Sequence, residues 1–310
     1  MTTRIAFIGF GEAGQSFGSS LIAAGATISA YDILVSAAPP ATEWRARAGT
    51  IGARLDPDAR TAVADAAFVI SAVTAESALA AAEATAPLLQ PDQCFIDINS
   101  VAPSRKQAAA SAVTAAGARY LDMAVMGPVH PRGHRTPVLI AGPEAVAIAP
   151  RLEALGFGLS VAGDAVGAAT AIKMVRSVFM KGFEAIMAEC LVAAEKAGVA
   201  DAVLASLADT YPGLDWARLP GYQIERMARH GVRRAAEMRE VCATLADLGL
   251  APVMSAATMA AQQAVGDLAL ARRGVALDDY AALVDAVAPA FARASHKPGA
   301  DAGGGTSSGS

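Results

Sequence analysis

Residues 4–8, Arg-Ile-Ala-Phe-Ile, read as a short buried strand that runs straight into Gly9-Phe-Gly11-Glu-Ala-Gly14. A helical pattern follows from Gln15 to Ala24 and stops at Gly25, and Thr27–Tyr31 reads as a second strand closed by Asp32. This is the feature that most narrows what the chain can become. Gly9 permits a tight turn, Gly11 lets backbone approach a pyrophosphate, and Gly14 allows a helix to pack closely. The pyrophosphate then lies at the positive end of the helix, where Glu12 and Ala13 complete the first turn. Asp32 stands where its carboxylate can accept hydrogen bonds from ribose hydroxyls. The spacing therefore predicts a dinucleotide site. A carboxylate there repels a 2′-phosphate, so NAD is favoured, although Arg45 and Arg47 stand near enough in sequence to admit NADP.

The alternation continues along the chain. Ala67–Val73 is an apolar strand, and Thr74-Ala-Glu-Ser opens the next helix with Thr74 as its capping residue. Cys94–Ile98 is a further strand, leading into Asn99-Ser100-Val-Ala-Pro103. Arg119–Met123 and Val138–Ala141 complete the set, with Gly142-Pro143 as a turn. Strands alternating with helices imply a doubly wound parallel sheet whose ligand crevice lies at the carboxyl ends of the strands. Thr74, Asn99, Ser100 and the loop from Ala124 to Thr136 fall on that edge.

From Gly167 onward the strand signal stops. Residues 163–198 contain no proline, carry apolar residues such as Ile172, Val175, Phe179, Phe183, Ile186, Met187, Cys190 and Leu191 at helical spacing, and end at Gly198. One long helix is predicted. Lys173, Ser177 and Lys181 stand four apart and share one face of it, with Arg176 beside them. Further helices are expected over Ala200–Thr210, Gln223–Arg229, Val232–Leu248, Ser255–Arg273 and Asp278–Ala294. The predicted architecture is an α/β N-terminal Rossmann domain (residues 1–162) followed by an all-α C-terminal domain (163–295), joined by the long interdomain helix. A glycine- and serine-rich tail (296–310) is expected to be disordered.

Charge enters where partners are concerned. A net charge of −4 with no dense basic cluster argues against a nucleic-acid binder. No apolar stretch approaches the roughly 20 residues of a membrane helix. Cys94, Cys190 and Cys242 are too few and too scattered for a disulfide framework or a zinc site. Together with an N-terminus that lacks signal-peptide features, this predicts a soluble cytoplasmic protein without a metal. The segment from His230 to Glu240, HGVRRAAEMRE, is unusually charged. It reads either as a solvated face laced by pairs such as Arg233–Glu237, or as an anion site built on His230 and an arginine such as Arg234.

Four of these segments occur in an order that resembles the β-hydroxyacid dehydrogenase superfamily, which includes 6-phosphogluconate and 3-hydroxyisobutyrate dehydrogenases. They are Gly9–Gly14, Asp97-Ile-Asn99-Ser100-Val-Ala-Pro103, Asp122-Met-Ala-Val-Met126-Gly127-Pro128, and Gly167 with Lys173, spread over roughly the first 200 residues. The charged C-terminal region is similar to that of a less characterised branch of the same superfamily. The resemblance implies that Lys173 is the catalytic lysine and that Ser100 and Gly127 lie in substrate-binding segments. It places Thr74 along the nicotinamide pocket and Asn99 beside the cofactor. It also implies a small hydroxy-acid substrate and a homodimer, in which Arg233 or Arg234 can serve a neighbouring pocket. The chain departs from the pattern at Ser177, where relatives usually have asparagine, and at Met126, where they have serine. Both changes suggest a pocket reshaped for another molecule, with Arg176 and Ser177 on its helical wall.

The chemistry expected is hydride exchange between nicotinamide and a 3-hydroxy acid or related hydroxylated acid, with Lys173 as general acid/base. A lysine can serve as base only when neutral, and burial, a neighbouring Arg176 and a cationic nicotinamide would depress its reference pKa of about 10.4. The alternative for Lys173 is a side chain snorkelling to water. Lys181 reads as structural or as a solvated partner of Glu184. Rival functions are an imine reductase, a decarboxylating dehydrogenase and a non-catalytic NAD-binding sensor.

Overall fold

The computed structural model describes residues 2–36 and 40–292. The tail expected to be disordered therefore lies outside the described residues. In the first half, β1 (Arg4–Ile8), α1 (Glu12–Ala23), β2 (Thr27–Tyr31), α2 (Pro40–Thr50), β3 (Arg54–Leu55), α3 (Ala59–Val63) and β4 (Phe68–Ser71) follow in turn. Next come α4 (Ala78–Thr85), β5 (Cys94–Asp97), α5 (Pro103–Ala115), β6 (Arg119–Val125), β7 (Val138–Ala141), α6 (Ala145–Glu153) and β8 (Leu159–Gly163). The eight strands form one sheet in the order β3-β2-β1-β4-β5-β6-β7-β8. Alternate residues of β1 serve opposite faces. Ile5 and Phe7 join a core under α1 with Phe10, Phe17 and Leu21, while Ala6 and Ile8 pack with Val69, Phe95 and Val113 on the other side. Burial on both faces is why these strands read as unbroken apolar runs.

Three features of the sheet differ from the sequence reading, the first being β3, whose two residues are too few to leave a pattern. β7 runs antiparallel to β6, with Val125 opposite Val138, so the sheet is not wholly parallel. Strand propensity carries no direction, and the connection from Met126 to Pro137 holds only the 3-10 turn Gly133–Arg135 and no α-helix to serve as a parallel crossover. β8 escapes the sequence pattern because it is an edge strand with Ser160 and Val161 exposed, leaving no continuous apolar run.

The second half is helical: α7 (Ala168–Ala197), α8 (Ala200–Thr210), α9 (Leu219–Asp247), α10 (Val253–Asp267) and α11 (Tyr280–Val287). Their core is built on Leu191, Met227, Val265 and Leu283. The long helix α7 starts at Ala168 because Gly163 still belongs to β8, and it ends at Gly198 in the left-handed conformation with φ 68°. The helices expected over 223–229 and 232–248 are one continuous α9. Gly231, which falls between the two expected ranges, is a contact point within it. A β-carbon there would fall 2.4 Å from the Gln262 carbonyl oxygen of α10, so glycine lets two helices touch. Along α7 the apolar residues divide. Met187 and Leu191 are buried, but Ile172, Val175, Phe179 and Ile186 are exposed and form an outer ridge.

Among the described residues, no helix is long and apolar enough to cross a membrane. Nor does any group of three or more His, Cys, Asp or Glu stand ready to hold a metal ion.

Candidate active site

The glycine loop leaves β1 at a backbone angle that L side chains rarely adopt. Gly9 has φ +84°, and a β-carbon there would meet the Ala72 carbonyl oxygen at 2.6 Å. Gly14 allows the helix to close on the loop itself, since its β-carbon would lie 2.9 Å from the Gly9 carbonyl oxygen. Gly11, the residue before α1, has open space where its β-carbon would stand. The backbone N–H groups of Glu12, Ala13 and Gly14 sit in the first helical turn and have no partner within the helix. The Glu12 side chain itself is exposed. Asp32 ends β2 with one carboxylate oxygen 2.8 Å from Phe10 N and the other 3.0 Å from Leu34 N. It ties the end of β2 to the glycine loop. Open space, unpaired donors and a fixed acceptor fit a dinucleotide.

Around the rim, Asn99 is buried and its side chain is fully engaged. Its oxygen accepts from Val73 N at 2.8 Å, and its amide donates to Ser71 Oγ and Asp97 Oδ1. It clamps the ends of β4 and β5 together. Thr74 precedes a short 3-10 turn, but its hydroxyl donates to Ser77 Oγ at 3.1 Å, so the expected cap is absent. Exposed Gly127 and partly buried Met126 begin the β6–β7 hairpin, with Met126 packed near Ala169 in the first turn of α7.

The central contact joins the two halves. Lys173 Nζ on α7 donates to Ser100 Oγ, just beyond β5, at 2.6 Å. Burial pulls this amine down to about 8; Glu237 opposes the shift, and Lys181, Lys106 and Arg233 add to it. Arg176, expected to assist, is exposed and is not among the charges that act on Lys173. Ser177 donates to the Lys173 carbonyl at 2.9 Å and accepts from Lys181 Nζ at 3.1 Å. Lys181 is buried and pairs with Glu237 at 2.9 Å, not with Glu184. Glu184 is taken by Arg234, whose Nε donates to it at 2.9 Å, and by Gln262. Arg234 is thus held inside the helical domain. His230 is brought down to about 4 by burial and by Arg226, Arg233 and Arg234, so it is neutral near pH 7. The Arg233–Glu237 pair exists at 2.6 Å, but Glu237 also faces inward, so this segment is not simply a solvated face.

Sequence reasoning missed a buried lysine. Lys106 on α5 is wholly enclosed, with Nζ 2.6 Å from the Asp97 carbonyl oxygen, 2.9 Å from Asp97 Oδ1 and 3.6 Å from Asp122 Oδ1. Tyr120 donates to the other Asp97 oxygen at 2.9 Å. Asp122 accepts from Gly167 N, Thr170 N and Thr170 Oγ1, which fastens the start of α7 to the sheet. The usable signal was the pair Asp97 and Asp122 at matching positions of adjacent apolar strands, which demands a cation between them.

A family profile described as the NAD binding domain of 6-phosphogluconate dehydrogenase matches residues 4–163. The chain belongs to this family. A second profile, described as a domain of unknown function (DUF1932), matches residues 194–265, which covers most of α9 and α10. A conserved hypothetical protein from Sinorhizobium meliloti is 39% identical, with 94% of this chain and 97% of that one covered and a TM-score of 0.74. A conserved protein of unknown function, described as structurally similar to 3-hydroxyacid dehydrogenases, is 31% identical over 85% of this chain and 97% of its own, with a TM-score of 0.69. The 3-hydroxyisobutyrate dehydrogenase of Pseudomonas aeruginosa is 28% identical over 86% of this chain and 90% of its own length. As a member of the 6-phosphogluconate dehydrogenase NAD-binding family, the chain carries an NAD-binding domain of Rossmann type. Its scaffold is that of the 3-hydroxyacid dehydrogenases.

Proposed function

We propose that the protein is an oxidoreductase that moves a hydride between NAD and a 3-hydroxy acid or related hydroxylated acid, with Lys173 as the acid/base group. The observation that carries this reading is the 2.6 Å contact between Lys173 Nζ and Ser100 Oγ on the sheet rim, made by an amine brought down to about 8. Gly9, Gly11, Gly14 and Asp32 would hold the dinucleotide through backbone and carboxylate, with Glu12, Ala13, Thr74 and Asn99 as the surrounding frame. The bound dinucleotide supplies the two-electron acceptor or donor. Neutral Lys173 Nζ takes the proton of the substrate hydroxyl as the carbinol is oxidised, and the ammonium returns it in the opposite direction. Ser100 Oγ holds the amine in place and, with Gly127, lies where a substrate oxygen can be bound. Ser177 and Met126 shape the pocket wall, while Arg176, His230 and Arg234 lie further out on α7 and α9. The helical part, residues 163–295, would supply the substrate side of the cleft, and residues 1–162 the cofactor side. The ridge of Ile172, Val175, Phe179 and Ile186 offers a second copy an apolar face to cover.

The test is a screen of purified protein against hydroxy acids with NAD and NADP in parallel. Absence of turnover with every hydroxy acid, despite measured cofactor binding, would reject the proposal in favour of a binding module.

Two further results are expected. Oxidation needs the neutral amine, so kcat/KM for the hydroxy acid should climb with pH and level off above about 8, while reduction should decline over the same interval. A profile flat through that range would remove Lys173 from the proton path. Asp32→Asn keeps an acceptor for Phe10 N but discards the charge facing a 2′-phosphate. The ratio of kcat/KM with NADP to that with NAD should rise about tenfold or more. An unchanged ratio would show that Asp32 does not set cofactor choice.

A further inference from the structure

The charged segment of α9 matches the family profile without assigned function and is not used in the mechanism above. It contains Glu237 and Glu240, one helical turn apart. Glu240 is buried, and its carboxylate accepts from Ala102 N at 2.9 Å, with Arg105 Nε 3.6 Å away. Ala102 is the residue before α5 and has no side-chain cap of its own. It lies two residues beyond Ser100, the acceptor of the Lys173 hydrogen bond. Glu237 bonds Lys181 at 2.9 Å, Lys181 bonds Ser177, and Ser177 bonds the Lys173 carbonyl. One turn of α9 thus reaches both ends of the central contact, one end through three bonds along α7 and the other through the loop after β5.

We propose that Glu237 and Glu240 are positioning residues that hold Lys173 and Ser100 in register across the two domains. The inference rests on the reading of Lys173 as the acid/base group. Glu240 fixes the Ser100 loop by supplying the acceptor that Ala102 lacks. Glu237 keeps Lys181 folded along α7, which fixes the turn that carries Lys173. The same arrangement sets the charge around the amine, because Glu237, Lys181 and Arg233 from α7 and α9 and Lys106 from α5 all face it. A buried ion pair bonded on both sides is costly to misplace, so its geometry is passed to its neighbours.

The test reads Lys173 directly and needs no turnover. The full chain is treated with limiting acetic anhydride over a pH series, and acetylation of Lys173 is measured by peptide mass spectrometry. Lys181→Met removes a cation and should raise the Lys173 midpoint by about half a pH unit or more. Lys181→Met combined with Glu237→Gln removes both charges and should return the midpoint toward that of the parent. One shared midpoint in all three chains, each confirmed folded by NADH binding, would overturn the role of Glu237. For Glu240, kcat should fall about 10- to 100-fold in Glu240→Ala while NADH affinity stays within about twofold, and Glu240→Gln should recover most of it. Equal loss in both variants, or no loss in either, would overturn its role. A chain without turnover would count against hydride transfer, yet the Lys173 titration would still decide the part played by Glu237.

Discussion

Lys173→Ala should lower turnover by about 100- to 10,000-fold while leaving NADH affinity within about twofold of the parent. The magnitude follows from removing a positioned proton acceptor, and the selectivity follows from where the amine stands. Its hydrogen bond goes to Ser100, beyond β5, and not to the glycine loop or to Asp32. The two readouts are separable: steady-state oxidation of the best substrate from the screen reports chemistry, and nicotinamide fluorescence reports binding. Undiminished turnover would reject the proposed mechanism outright. An equal loss of cofactor binding would place the lysine in the wrong half of the reaction.

The second large effect concerns stability. Lys106 is the cation between Asp97 and Asp122, and its side chain is fully enclosed. Replacing it by methionine keeps the volume but leaves two buried carboxylates facing each other. Breaking a buried pair in this way costs about 3–5 kcal/mol. Urea unfolding should show the loss as a lower midpoint with little change in slope. The helix terminus matters here as well. The N-terminal N–H groups at Gly167 and Thr170 already donate to Asp122, so part of the carboxylate charge is met by the positive end of α7. Adding Asp97→Asn to Lys106→Met should therefore regain a measurable share of the loss. A destabilisation below about 1 kcal/mol would mean that the carboxylates find water or protons readily, and that the lysine is not their main partner.

The residues differ in how much of this they announced. The glycine loop and its flanking strands were legible because a strand, a tight turn and a helix each leave a local signature, and β1 and β2 fall at the residues expected. Lys173 was singled out through motif order, and α7 brings its amine to Ser100. What needed three dimensions was pairing. Lys181 has Glu184 three residues away on its own helix, but its partner is Glu237 on α9, which no local spacing reveals. Arg176 is adjacent in sequence to the face of Lys173, Ser177 and Lys181 yet is exposed. Asn99 sits at the carboxyl edge of the sheet but spends its side chain on Val73 N, Ser71 Oγ and Asp97 Oδ1. The direction of β7 was invisible for a similar reason, since pairing partners and not composition decide it. The close approach of α9 and α10 at Gly231 and Gly266 likewise needs both helices in place before it can be seen.

The reversal of β7 has a consequence for how this fold can diversify. The connection that carries Met126, Gly127 and Pro128 is anchored by strands at both ends. At its far side the His134 backbone N–H donates to Ser20 Oγ on α1 at 2.9 Å, and the His134 ring lies against the Leu155 carbonyl. A segment pinned at three places cannot swing like a flap, and lengthening it would disturb the helix on which the dinucleotide rests. Under the proposed function, variation at this hairpin is thereby confined to single side chains such as Met126, while its length and course stay fixed against α1.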